Sequence, residues 1–424
     1  MKTGSLTPAL LRSSRSLGDE RAEALTGITL ADYGVDERLG FLPGVEPLRR
    51  LPDDYAEWDE IAAAMPKLLR MGRARHLLEQ VPPLDTTALR TPAEVERAML
   101  LLSYFAHGYL NDSGPPRSSI PANIAVPWHV VATRLGRPPI LAYASHQLHN
   151  WGRIDPSGPV ELDNLLRLQD FLGGMDDDWF VMAHVAIEAA AAPGLVAMVR
   201  AQDAVHSGDL DAAAVHLRAV ATSIDAMRAT LTRLPERCDP YIYYNRVRLF
   251  LFGSKNNPAF PDGIVYEGVE EYGGAPRYFS GETGAQSAII PFHAEALGIG
   301  HQHDPLNDFM LELRDYIPPR HRAFIEEVGP RVDLRGAVLS QRPAEAVAAY
   351  NACIEAMRGF HELHLRYAAS YVHRQGRKSG DTSGAVSSAV SGANDNETGT
   401  GGTPFMKYLK LHLDNISAHA VEVS

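Results

Sequence analysis

The chain has 424 residues, 45% of them hydrophobic, and a formal net charge of −12. That is enough apolar material for one large core or two. The acidic balance argues against a general binder of nucleic acid or anionic membrane, though not against an anionic small substrate held by one or two arginines. Cys238 and Cys353 are the only cysteines. They exclude a disulfide framework and a thiolate cluster for zinc or iron–sulfur ligation, and a reducing cytoplasm is the default expectation.

The first residues, MKTGSLTPALLRSSRSLGDE, carry basic side chains but no apolar stretch of signal-peptide length. No run of eighteen apolar residues occurs, so no membrane span is expected. Scattered apolar residues and a turn at FLPGVEP, from Phe41 to Pro47, occupy the first fifty positions. Residues 58–81 read as helix apart from Pro66. Residues 91–110 read as a better one: Thr91 suits the N-cap, Pro92 the first helical position, and Glu94 completes a capping box.

Residues 111–139 hold six prolines around IPANIAVPW, which predicts an irregular but packed segment. A join between a small N-terminal domain (1–137) and a larger one (138–424) is placed there. From Leu162 onward the pattern is helical, with three acids opening the run at Asp176 and a long amphipathic helix after Gly208. A short strand is possible at 263–269. Residues 374–402 are Ser/Gly-rich, predicting a mobile loop over 374–398, and a helical tail follows from Pro404. The expected fold class is mostly α.

Several residues could carry chemistry. Tyr350, Ile354, Met357, His361, His364, Ala368 and Tyr371 recur at three and four residues, laying one stripe along a helix. Two imidazoles interrupt that apolar stripe, either as satisfied core groups or as ligands of an iron. HELH has the wrong spacing for a zincin. Arg246 and Arg248 lie among Tyr241, Tyr243, Tyr244 and Phe250. An arginine so placed snorkels, forms a structural ion pair or clamps a carboxylate. His184 sits on a helix beside Phe180, Val181, Ile187 and Glu188, and GTGGT (399–403) offers N–H groups and hydroxyls to a charged ligand.

Taken together, IPANIAVPW, RPPILAYASHQLHNW, WFVMAHVAIEAA, RLFLFGSKNNPAFPDGIVYEGV, SGETGAQS, LRDYIPPRHRAFI, AYNACIEAMRGFHELHLRYAASYV and GTGGT resemble the indoleamine 2,3-dioxygenase family, in its order, over about residues 120–403. The resemblance implies a two-domain, mostly α haem dioxygenase with haem b in the larger domain and dioxygen as co-substrate. It implies that His364 is the proximal iron ligand and that His361 is not. Arg248 takes the place of the arginine that binds the substrate carboxylate. Tyr243, Tyr244, Tyr143 and Phe180 take aromatic places around the substrate. Thr400 aligns with a threonine of the closing loop, and Thr283 and Glu282 fall on the distal side of the haem. Two departures stand out: His184 replaces a usual serine and is a candidate to hydrogen-bond the indole N–H, and Glu282 replaces a small residue.

The implied reaction is cleavage of the indole 2,3 bond of L-tryptophan, or of a related indole, to N-formylkynurenine. Mono-oxygenation of a substituted indole and a non-catalytic haem sensor are the alternatives. The expected partner is a small indole, with no nucleic acid and no membrane, in a monomer or small homo-oligomer.

Overall fold

The computed structural model describes residues 27–300, 305–376, 400 and 405–422. Helix α1 (Ala56–Arg70) buries Trp58, Ile61, Ala62, Met65 and Leu69, an i, i+3, i+4 stripe that carries Pro66 at its margin. Helix α2 (Pro92–Leu110) starts at the expected capping box: the Glu94 N–H donates to Thr91 Oγ1 at 3.2 Å, and the Thr91 N–H to Glu94 Oε2 at 3.1 Å. It is buried on nearly all sides from Arg97 onward. Arg97 is paired there with buried Asp59 at 2.7 Å.

The proline-rich segment is more regular than its composition suggests. Helix α3 (Ala122–Leu135) runs through Pro127, with Pro121 at its N-cap in extended backbone. Burial of Ile124, Trp128 and Val131 against α2 outweighs the one helical hydrogen bond that Pro127 cannot donate. Strand β1 (Ser119–Ile120) precedes it. The chain then forms β2 (Trp151–Arg153) and β3 (Leu165–Arg167), an antiparallel pair in which Trp151 faces Arg167. The expectation of helix from Leu162 is therefore corrected. Residues 165–167 pair as a strand, and Arg167 is held by ion pairs to Asp177 and, at 2.9 Å, to Asp178.

Helix begins instead at Met175. Helix α4 (Met175–His206) runs through Pro193 and packs along α5 (Leu210–Thr232), whose N-cap Asp209 accepts from the Ala212 N–H at 2.9 Å. By length and composition α4 could cross a membrane, yet 67% of its most apolar window is buried inside the fold. Strand β4 (Val265–Tyr266) lies in the segment where a strand was expected and pairs in parallel with β1. Helices α6 (Ile289–Ala296), α7 (Pro305–Leu313), α8 (Ala344–Ala368) and α9 (Phe405–Ala418) complete the chain. Residues 374–376 continue the helical course after α8, so the loop expected from 374 does not begin there, and 377–398 lie outside the described residues.

The fold is mostly α, with two apolar cores. The larger is built from α4, α5, α6 and α8, and it also takes Leu30, Val35, Phe41 and Leu42 from the N-terminal stretch. The smaller is built from α1, α2 and α3, together with Val247, Phe250, Leu251, Phe260, Ile264, Tyr266 and Val269. Each core thus draws residues from both sides of position 137. Phe180 and Tyr243 are half-buried and pack against both cores, so they mark the seam between them.

Candidate active site

The site is built where that seam opens. On α4, Phe180, His184 and Glu188 follow one another at four-residue intervals and share a face. His184 Nδ1 lies 2.8 Å from the Phe180 carbonyl, to which it donates. That bond fixes the tautomer and leaves Nε2 with its lone pair. Burial lowers the His184 pKa, so the ring stays neutral. Its ring centroid is 4.4 Å from that of Phe180 and 6.1 Å from that of Tyr143.

Two single π-helical turns place further site residues. A π turn widens the helix by one residue and re-aims the side chains around it. The first, Ala144–Leu148, follows Tyr143 and carries His146 and Gln147. The second, Tyr243–Val247, carries Tyr243 and Tyr244 and leads directly into Arg248. Tyr243 lies 4.7 Å from Phe180, ring to ring, and Tyr371 meets it edge-on at 5.8 Å. Arg248 is buried, its guanidinium 5.2 Å from the Tyr244 ring and 4.5 Å from Phe252. Cation–π contact with desolvated rings holds a guanidinium in place without neutralising it. Arg246 is exposed, so of the two arginines only Arg248 belongs to the interior.

The stretch from Ser280 to Ser287 forms the polar wall. Gly253 and Gly281 let two backbone segments touch: a Cβ on Gly253 would lie 2.1 Å from the Phe279 carbonyl oxygen, and one on Gly281 would lie 2.2 Å from that of Leu251. This close approach, sealed by the Glu282 N–H donating to Leu251 O at 3.0 Å, sets Glu282 beside the Arg248 segment. Glu282 is buried, Oε1 accepts from Gln147 Nε2 at 3.1 Å, and burial pushes its carboxyl up to about 8. The hydroxyl of Thr400 donates to the Glu282 carbonyl oxygen, which ties Thr400 to this wall. Thr283 is less engaged, its hydroxyl accepting from the Ala285 N–H of its own turn.

Behind His184 lies a network that the sequence did not single out. Tyr143 and Ser287 both donate to Glu188 Oε1 at 2.8 Å, and the Tyr143 N–H donates to Gln286 Oε1 at 2.9 Å. Glu188 is fully buried and its carboxyl is pushed up to about 7. The available signal was an acid four residues after His184 in an otherwise apolar, alanine-rich helix.

The two histidines of α8 differ. His361 is buried, and its Nδ1 donates to the Met357 carbonyl at 2.8 Å. Its ring lies parallel to that of His412 on α9, centroids 6.5 Å apart. His364 is open on one side, yet its pKa is pushed down to about 4, by burial and by the like charges of His361 and His184. His184 is close enough to be felt there. Neither ring nitrogen of His364 has a hydrogen-bond partner among the described residues.

A cavity of about 640 Å³ lies elsewhere. Arg38, Glu46, Trp151, Arg153 and Arg233 line it, and it touches α4 at Ala186, Ala189 and Ala190, off the Phe180–His184–Glu188 stripe. Among the described residues no three His, Cys, Asp or Glu side chains converge as a metal site. A metal bound by several protein ligands therefore finds no site among the described residues, whereas an iron that arrives with four ligands of its own needs one neutral imidazole. His364 has that form: neutral at physiological pH and without a hydrogen-bond partner among the described residues.

A mostly helical fold with an unpartnered neutral imidazole, an aromatic seam and a buried arginine is compatible with a haem oxidoreductase. Comparison with known proteins makes this specific. The family model described as indoleamine 2,3-dioxygenase matches residues 29–418, and the chain belongs to that family. It is 34% identical over 385 residues to indoleamine 2,3-dioxygenase 2 of Mus musculus, covering 90% of this chain and 93% of that one. It is 31% identical over 389 residues to the 6-hydroxytryptophan 2,3-dioxygenase fscD of Fusarium equiseti (89% and 95% covered). With the indoleamine 2,3-dioxygenase of Saccharomyces cerevisiae it shares 30% identity over 427 residues (92% and 93%). Members of the family are haem-dependent oxidoreductases, and this chain is a haem dioxygenase of the indoleamine 2,3-dioxygenase type.

Proposed function

We propose that the enzyme cleaves the indole 2,3 bond of L-tryptophan or a closely related indole, forming N-formylkynurenine or its substituted counterpart. The observation that carries this reading is the line of groups across the seam: buried Arg248, the Phe180–Tyr243 aromatic pair, and His184 with Nε2 unprotonated. An amino acid with an indole side chain has the matching order of carboxylate, aromatic face and N–H. Curated relatives named for tryptophan-type substrates support it.

In this assignment His364 holds haem b through its neutral imidazole, and the bound haem supplies the iron at which dioxygen reacts. The rest is the chain's own work. Arg248 binds the carboxylate and sets the pose. Phe180, Tyr143, Tyr243 and Tyr244 enclose the indole and exclude water. His184 Nε2 accepts from the indole N–H, a role open to it only because Nδ1 is committed to Phe180. Thr400, tied to the Glu282 carbonyl, adds its hydroxyl to the polar wall. The test is direct: haem-loaded protein, reduced without oxygen and then given oxygen and L-tryptophan, should form a product with the absorbance of N-formylkynurenine. No turnover of any indole overturns the proposal.

One observation favours a second reading. Glu282 and Glu188 are buried carboxyls poised to hold protons near neutral pH, and insertion of a single oxygen atom takes up two protons, with two electrons from an external reductant, to release the other atom as water, whereas insertion of both atoms needs neither. Product from labelled dioxygen separates the two: two labelled atoms mark the dioxygenase, one the mono-oxygenase.

A further inference from the structure

Around His146 the wall of the site contains more hydrogen-bonding capacity than the protein uses. His146 and Gln147 are both fully buried. The Gln147 amide nitrogen is 2.8 Å from His146 Nδ1 and 3.1 Å from Glu282 Oε1, so its two N–H groups are spent. Accepting at Nδ1 puts the proton of the neutral imidazole on Nε2. Two atoms are then left over inside the core: His146 Nε2, a donor, and Gln147 Oε1, an acceptor, neither with a partner. A buried polar atom without a partner costs about 1–3 kcal/mol, so a pair of them next to a ligand site calls for an occupant.

The location is the aromatic seam of the candidate site. The His146 ring is 6.3 Å from Phe180, which also touches His184 and Tyr243. His146 is close enough to His184 for its charge to be felt. Tyr243 lies within the fields of both Glu282 and Arg248. The His146–Gln147–Glu282 cluster therefore meets the same aromatic seam as Arg248. An unsubstituted benzene ring offers that cluster nothing, whereas a ring hydroxyl carries one donor and one acceptor, the complement of the two spare atoms.

From this the geometry points to an indole amino acid bearing a hydroxyl group on its benzene ring as the substrate class, with Gln147 Oε1 accepting from that hydroxyl and His146 Nε2–H donating to it. The inference rests on the proposed indole-cleaving function and narrows it. Sites that hydrogen-bond a substrate hydroxyl discriminate strongly against the analogue without it, because the site's own groups are then left unpaired.

The test compares L-tryptophan with the four ring-hydroxylated L-tryptophans on the haem-loaded protein, by calorimetric affinity and by kcat/KM. At one ring position the hydroxylated compound should bind at least about tenfold more tightly than L-tryptophan, and the ratio should fall toward one in Gln147→Met. A ratio near one for all four compounds in the unaltered protein overturns the inference, whether or not the variant folds. So does a preference that persists unchanged in folded Gln147→Met. L-Tryptophan turned over with no such preference sinks this inference alone, whereas no binding or turnover of any of the five compounds sinks the indole-cleaving function itself.

Discussion

The two walls of the site are built in different ways. On α8, His361 and His364 are three residues apart on one helix, and their local surroundings separate them: one spends Nδ1 on the carbonyl four residues back, the other is open. Opposite, the wall made by α4, the turn after Tyr143 and the stretch 280–287 is held by bonds between distant segments, such as Tyr143 to Glu188, Gln147 to Glu282 and Ser287 to Glu188. The α8 wall needs only one neutral imidazole. In the proposed function the opposite wall orients the substrate, with polar groups desolvated at some energetic cost and held in place by one another. A ligand position can thus come from one helix, while a specificity surface requires the tertiary fold.

The largest effect that would break this contrast is at His364. His364→Ala should lose haem, read as the Soret absorbance per protein after reconstitution, whereas His361→Ala should keep it. The reverse result would move the iron to the buried histidine. Next is the clamp. Arg248→Ala should weaken substrate binding by roughly 2–5 kcal/mol, since it leaves the carboxylate unpaired in a desolvated site. An unchanged affinity by calorimetry would remove Arg248 from the site.

A smaller change, about 1 kcal/mol, is expected from His184→Ser. The unaltered protein should discriminate against indoles methylated on nitrogen, and the variant should do so less. Equal discrimination in both would detach His184 from the indole N–H.

The smallest effect concerns the proton-holding carboxyls. His107 and His293, pushed down to about 4, and His321, to about 3, bind fewer protons folded than unfolded, so stability should rise with pH up to about 6.5. Glu188 and Glu282, pushed up to about 7 and about 8, bind more protons folded, so above that pH stability should fall as they are forced to ionise. Glu188→Gln should flatten the decline between pH 6.5 and 8 by on the order of 1 kcal/mol. Denaturation midpoints at several pH values check it, and an unaltered slope would mean that Glu188 does not titrate there.

The elements legible beforehand were those with local causes. The capping box at Thr91, the long amphipathic α5 and the strand near 265 follow from patterns a few residues long. The proline-rich segment and residues 165–167 went the other way, because burial of Trp128 and the pairing with β2 are tertiary effects that outweigh local propensity. The site divides similarly. His184, Arg248 and the aromatic residues could be named from composition and resemblance. The part played by Glu188 could not, since a buried acid reveals its partners only after Tyr143 and Ser287 arrive from 45 and 99 residues away.

By itself the sequence determined the helical class, the family and the histidine stripe, because spacing along a helix and ordered motifs are properties of contiguous residues. Only the tertiary structure decided which histidine is open and which is spent, which arginine is interior, and that His146 and Gln147, bonded to each other, leave two hydrogen-bonding atoms spare. Burial and the pairing of polar groups depend on what the rest of the chain brings alongside, and no short window of residues contains that information.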